Sequence, residues 1–185
     1  MPADYFESRN IRSLGVAREH AIEIHRMIER APIIEDFTLA EVTELGEHMP
    51  VYEADPGVCI IGEGEVGDFM FLVISGSIDV VRRDRRGNPS RIAVVHQGHS
   101  LGEMSMLDGE PRFASCIAIE PTRFAVLTRE TLAQLINDKP RLGAKMLMKL
   151  VHMLAQRLRN TSSHLVEKLE AERDGPALID EDSPD

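Results

Sequence analysis

Residues 56–81 read PGVCIIGEGEVGDFMFLVISGSIDVV, and the way glycine divides that stretch decides the fold. Apolar residues gather in short runs, Val58 to Ile61, Phe69 to Ile74 and Ile78 to Val81, with Gly62, Gly64, Gly67 and Gly76 between them. Short runs rich in β-branched and aromatic residues, bounded by glycine, are strands joined by turns. The texture continues through RIAVVHQGHS (91–100), ASCIAIEPT (114–122) and RFAVLTRE (123–130). Many short strands with frequent turns predict a β-sandwich or roll. Between two of them, DRRGNPSR (84–91) reads as a hairpin tip, with Gly87 and Asn88 supplying the turn. Its neighbouring Arg82, Arg83, Arg85 and Arg86 are read as a solvated loop rather than a docking patch.

Helical patterns flank this region. In VAREHAIEIHRMIER (16–30), Ala21, Ile24, Met27 and Ile28 recur at helical spacing, which predicts one helix. Pro32 stops it, and FTLAEVTELGEHM (37–49) starts a second, with Thr38 as N-cap and Glu41 as its capping-box partner. Helix returns at Thr131 and, after Pro140, runs long: Leu147, Leu150, Leu154, Leu158, Thr161, Leu165 and Leu169 form one stripe that ends at Gly175-Pro176. A stripe of that length exceeds what one small roll covers, so a helix-to-helix homodimer seam is the expectation. Beyond Asp174 the chain is acidic, has no Lys or Arg, and is expected to be disordered. The organisation read from the chain is an amino-terminal helical extension (1–34), a β-roll (35–138), a dimerisation helix (139–173) and an acidic tail (174–185).

The composition of the 185-residue chain narrows its partners. A formal charge of -10 opposes the counterion-release attraction that drives proteins onto DNA or anionic lipid, so neither DNA nor membrane is expected as a partner. No apolar run is long enough to span a bilayer, and Glu7 and Arg9 interrupt the place of a signal peptide, which predicts a cytoplasmic protein. Cys59 and Cys116 lie in apolar runs without metal-ligand spacing and are read as small unpaired core residues.

Chemistry concentrates in LGEMSMLDGEPRFAS (101–115). If Gly102-Glu103 opens a short helix through Met104, its first backbone N–H groups favour an anion. Arg112 adds a planar fork suited to two phosphate oxygens. An ionised Glu103 only accepts hydrogen bonds, so beside an anion it needs a donor such as a ribose hydroxyl. Together these describe a sugar phosphate. The competing description is a surface ion pair of Glu103 with Arg112, a contact worth little.

The stretch at 56–81 followed by HQGHSLGEMSMLDGEPR (96–112) resembles the cyclic nucleotide-binding domain family over roughly residues 35–165. The resemblance implies a mainly β fold with flanking α structure: an eight-stranded antiparallel β-roll, jelly-roll-like, with N-terminal helices and a long C-terminal helix. It also implies that Gly102 and the following amides, Met104 included, approach the nucleotide, that Glu103 accepts from the ribose 2'-hydroxyl, and that Arg112 clamps the cyclic phosphate. The long helix is similar to that of the bacterial catabolite activator protein, which places Thr161 and Ser162 where that family's hydroxyl pair meets adenine across the dimer.

Two departures qualify the likeness. Phe113 follows the arginine where bacterial relatives commonly carry Ser and cyclic-GMP-preferring relatives Thr. That disfavours cyclic GMP and leaves Phe113 either to stack on a purine or to fill core. The expected ligand is therefore cyclic AMP; cyclic di-GMP is not supported, because residues 101–115 offer no arginine cluster for a second phosphate. Catabolite-activator relatives also continue into a winged helix-turn-helix, whereas only the acidic tail follows here. That predicts a stand-alone receptor acting through its helix on an unknown protein effector.

Two other classes compete. His96, His99 and Glu103 form an H-x2-H-x3-E cluster, but the turn at Gln97-Gly98 need not converge the rings, so neither a metal site nor an enzyme is expected. A ligand-independent dimeric scaffold with a degenerate nucleotide site is the remaining alternative.

Overall fold

The computed structural model of the chain describes residues 2–173, with the side chains of 2, 3, 28, 172 and 173 left aside; the acidic tail expected at 174–185 lies outside the described residues. The described residues fall into two compact units that divide between Leu150 and Val151.

In the first unit, strand β4 (Phe69–Ser75) explains the architecture. Six of its seven residues are buried, so both faces of the strand must be covered. Phe69, Phe71 and Val73 point into a core between two sheets, with Ile60, Ile61, Ile78, Phe124 and Val126. Met70 and Leu72 of the opposite face meet Ile24, Ile33, Ile34, Val42, Leu45 and Met146. One sheet is therefore sandwiched between a second sheet and a helical layer.

The strands are β1 (Arg12–Val16), β2 (Pro50–Ala54), β3 (Cys59–Ile61), β4, β5 (Ser77–Arg83), β6 (Pro89–His96), β7 (Ser100–Leu101), β8 (Ser115–Ala118) and β9 (Thr122–Thr128). They form antiparallel sheets of order β1-β2-β9-β4-β7 and β3-β8-β5-β6. The expected eight strands are β2 to β9; β1 is an unforeseen ninth, added to the edge of the first sheet inside the predicted helical extension. Its sequence hides it. Arg12 pairs with Glu53 at 2.8 Å and Asp55 at 3.2 Å, and the strand is mostly exposed, so apolar alternation is lost.

The helices are α1 (Pro2–Glu7), α2 (Ala21–Arg26), α3 (Leu39–Gly46), α4 (Glu103–Asp108), α5 (Arg129–Asp138) and α6 (Pro140–Arg173). Thr38 and Glu41 make the reciprocal capping box at the start of α3, as the sequence predicted. The single helix expected over residues 16–30 is instead α2 between two short 3-10 segments, Ala17–His20 and Ile28–Arg30. Ala17 donates its amide to Met49 O at 2.8 Å, and a Cβ on Gly46 would stand 2.6 Å from Arg18 N. Backbone packed that closely on backbone interrupts the regular helical ladder. At the β5–β6 tip Asp84 does much of the work expected of the turn residues: its Oδ1 accepts from the amides of Arg86 and Asn88, and Gly87 adopts φ +83°.

Neither cysteine is in a disulfide; Cys116 is buried and Cys59 half-buried, where burial pushes the Cys59 thiol pKa up. In the second unit the chain continues as α6, exposing Leu158, Leu165, Val166 and Leu169. No helix among the described residues is long and apolar enough to cross a membrane.

Candidate functional site

Arg112 follows Pro111 on the segment between α4 and β8, and its main chain is fixed first. Its amide donates to Glu65 O and its carbonyl accepts from Gly64 N, both at 2.8 Å, stitching this segment to the β3–β4 loop. The guanidinium then turns inward. Nη1 donates to Gly102 O and Nη2 to Phe69 O, each at 2.8 Å, and Cζ lies 4.5 Å over the Phe69 ring. Only 4% of Arg112 is exposed, and burial pushes its pKa down. Glu103, the first residue of α4, is 1% exposed. The site therefore contains a buried cation and a buried acid, and the description of Glu103 and Arg112 as a surface pair fails.

Two glycines make the room. A Cβ on Gly67 would stand 2.5 Å from Arg112 Nη2, and one on Gly102 2.8 Å from Nη1. Gly102 also has φ +87°, a conformation that side chains disfavour, and it turns the chain from β7 into α4. Gly67→Ala is accordingly expected to displace the guanidinium. It should lower stability by about 1–3 kcal/mol, the usual cost of overpacking, in a denaturant titration. A change below about 0.5 kcal/mol would show that the clasp is loose.

The end of α4 is fastened from elsewhere: Arg129 donates from Nε to Met106 O at 2.5 Å and from Nη2 to Ser105 O at 3.0 Å. Its own amide donates to Asp68 O at 2.7 Å, next to Gly67. Arg129 thus ties α4 to the loop facing it. Nothing in the sequence marks it, since its partners are main-chain atoms.

The expected site residues fall into three groups. Gly102, Glu103 and Arg112 converge in the roll. Met104 and Phe113 lie on the same segment but are 49% and 53% exposed, which corrects the idea of Phe113 as core filler. Its ring instead carries the Arg82 guanidinium, 3.9 Å above the centroid. Thr161 and Ser162 lie on exposed α6 in the second unit.

Sequence reasoning missed the floor beside Phe113. Along β5, Ile78, Val80 and Arg82 share one face, running from full burial through a half-buried apolar residue to the exposed arginine. Ala93 of β6 stands opposite Val80 and is exposed. Period-two alternation would have found this face had the hairpin register been known; Ile92, an extra residue in β6, obscures it. His96 and His99 line an open cleft with Glu29, Arg30 and Glu120, and among the described residues no three His, Cys, Asp or Glu side chains are disposed to hold a metal ion.

Comparison with known proteins identifies similar chains. The model of the cyclic nucleotide-binding domain matches residues 52–139. A crystallised cyclic nucleotide-binding domain from Methylobacillus flagellatus is 35% identical with a TM-score of 0.77, over 91% of this chain and 92% of that one. The CRP-like cAMP-activated global transcriptional regulator of Mycobacterium tuberculosis is 27% identical over 141 residues, 76% of this chain and 61% of the regulator. The cyclic AMP receptor protein of Thermus thermophilus is 34% identical over 109 residues, 59% of this chain and 49% of that protein. This chain spans less than two thirds of the length of either of the last two.

Proposed function

Because the chain belongs to the cyclic nucleotide-binding domain family, we propose that it is a cyclic AMP receptor whose occupancy regulates a protein effector. The observation that carries the reading is the Arg112 guanidinium, buried between two glycines beside buried Glu103. A desolvated cation favours an anion over water, and its fork suits paired phosphate oxygens. Glu103 then accepts from the ribose 2'-hydroxyl, amides near Gly102 and Met104 face the phosphate, and the base lies over Val80 and Ala93 toward Phe113. Absence of a hydroxyl at Phe113 favours cyclic AMP over cyclic GMP.

The receptor acts as a homodimer through α6. Exposed Leu158, Leu165, Val166 and Leu169 support that seam, and Thr161 and Ser162 then supply hydroxyls to the adenine. Ligand moves the effector only if it binds two poses of the helix with different affinity.

Titration calorimetry with cyclic AMP, cyclic GMP and cyclic di-GMP tests the reading. Saturable binding of cyclic AMP, weaker binding of cyclic GMP and no heat from cyclic di-GMP are expected. Heat from none of them would favour the ligand-independent scaffold, a reading supported by the two backbone carbonyls that already engage Arg112.

A further inference from the structure

The amino-terminal segment reaches the same residues that hold Arg112. Glu65, whose carbonyl accepts the Arg112 amide, turns its carboxylate to three donors. Tyr5 Oη donates to Oε2 at 2.6 Å, Arg9 Nη2 to Oε1 at 2.5 Å, and Gly62 N to Oε2 at 3.0 Å. The Arg9 guanidinium also lies 3.7 Å over the Tyr5 ring. Burial alone would raise the Glu65 pKa, but the bonds from Tyr5 and Gly62 and the charge of Arg9 outweigh it and hold the carboxyl below its usual range. Glu65 is thus an ionised anchor.

A second route runs through Phe69. Its carbonyl accepts from Arg112, and its ring lies under the guanidinium. The rings of Tyr5 and Phe6 pack against it edge-on, at 5.3 and 5.1 Å between centroids. Residues 5–9 therefore touch both elements that fix Arg112, across 60 positions of chain. Phe6 is fully buried in the core between the sheets. The Tyr5 hydroxyl and Arg9 Nη2 meet on one carboxylate, while Arg9 Nη1 donates to Tyr5 O at 3.3 Å.

With Arg112 as the phosphate-binding group of the reading above, we propose that Tyr5 and Arg9, acting through Glu65, are positioning residues for Arg112, so that docking of the amino-terminal segment and ligand binding at Arg112 are coupled. A guanidinium whose main chain is already fixed loses less freedom when it meets an anion, so the docked segment raises affinity. Coupling is reciprocal: ligand must tighten the segment by the same factor as the segment tightens ligand. The effector signal then has an exit at the amino terminus, separate from α6.

The full-length chain tests this in two ways. Tyr5→Phe keeps the ring and removes only the hydroxyl; Arg9→Gln removes the charge. Each is expected to weaken cyclic AMP binding on the order of fivefold to tenfold in calorimetry, and Arg9→Lys to restore part of it. A purely structural role would lower the melting temperature and leave affinity untouched, and that result would overturn the coupling. The second measurement needs no nucleotide. Amide exchange at Ser8, Arg9, Asn10 and Ile11, whose N–H groups bond to Asp4, Phe6, Glu7 and Phe6 carbonyls, is followed in wild type and in Arg112→Lys. At least about tenfold faster exchange in Arg112→Lys, with global unfolding excluded by protection of β4 and β9 amides, supports the coupling. Equal exchange overturns it. If wild type binds no cyclic AMP, the receptor reading falls and the exchange comparison alone decides the positioning role.

Discussion

Arg112→Ala is expected to weaken cyclic AMP binding by about 2–5 kcal/mol, the range for removing one partner of a buried, hydrogen-bonded charge pair. The size follows from the surroundings. Arg112 is 4% exposed, so a phosphate placed beside it is screened little by water. Once the guanidinium is gone, the ligand's negative charge is left without a counter-charge in a site that also holds buried Glu103. The same substitution removes the donors to Gly102 O and Phe69 O, and a buried acceptor left unsatisfied costs about 1–3 kcal/mol of stability. Affinity and stability must therefore be measured on the same sample, by calorimetry and by denaturant titration. Arg112→Lys separates charge from geometry: a point charge retains the attraction but not the two-pronged fork, and should fall between wild type and alanine. Unchanged affinity in Arg112→Ala would mean that no phosphate sits there.

The largest expected loss of stability comes from Phe6→Ala. Phe6 is fully buried, with ring centroids 4.4 Å from Tyr52, 5.1 Å from Phe69 and 5.7 Å from Phe124. Truncating a buried phenylalanine removes its transfer free energy and leaves a cavity, together about 3–5 kcal/mol. A shift of that size in a urea titration, with the slope preserved, is the expected outcome. A loss below about 1 kcal/mol would show that residues 2–11 are an appendage rather than part of the roll's core.

Phe6 also marks where the sequence stops being readable. The segment β4 announces itself, because a glycine-bounded run of apolar residues fits few structures other than a strand covered on both faces. The capping box at Thr38, the restart of helix after Pro140 and the short helix opened by Gly102-Glu103 are equally local signals and appear where expected. In the amino-terminal extension the stabilising contacts are distant. Tyr5 and Phe6 are a lone aromatic pair with no helical or strand periodicity around them, β1 is an exposed edge strand held by Arg12 and its acidic partners, and Tyr5 meets Glu65 far along the chain. Periodicity carries no trace of such contacts.

The candidate site divides in the same way. Residue chemistry singled out Glu103 and Arg112. Only the fold shows that Gly67 and Gly102 clasp the guanidinium, or that Arg129 fastens α4 through main-chain carbonyls. Arg82 was read as part of a solvated basic loop, yet it stacks on Phe113 at the edge of the site. That contact depends on strand register, which composition cannot give.

A crystal structure of the chain grown with saturating cyclic AMP tests the central claim most directly. The account predicts nucleotide in the roll, the Arg112 guanidinium within hydrogen-bonding distance of its cyclic phosphate, and the Glu103 carboxylate on the ribose 2'-hydroxyl. Nucleotide bound elsewhere, or an empty roll with Arg112 still bonded only to the carbonyls of Gly102 and Phe69, would contradict it.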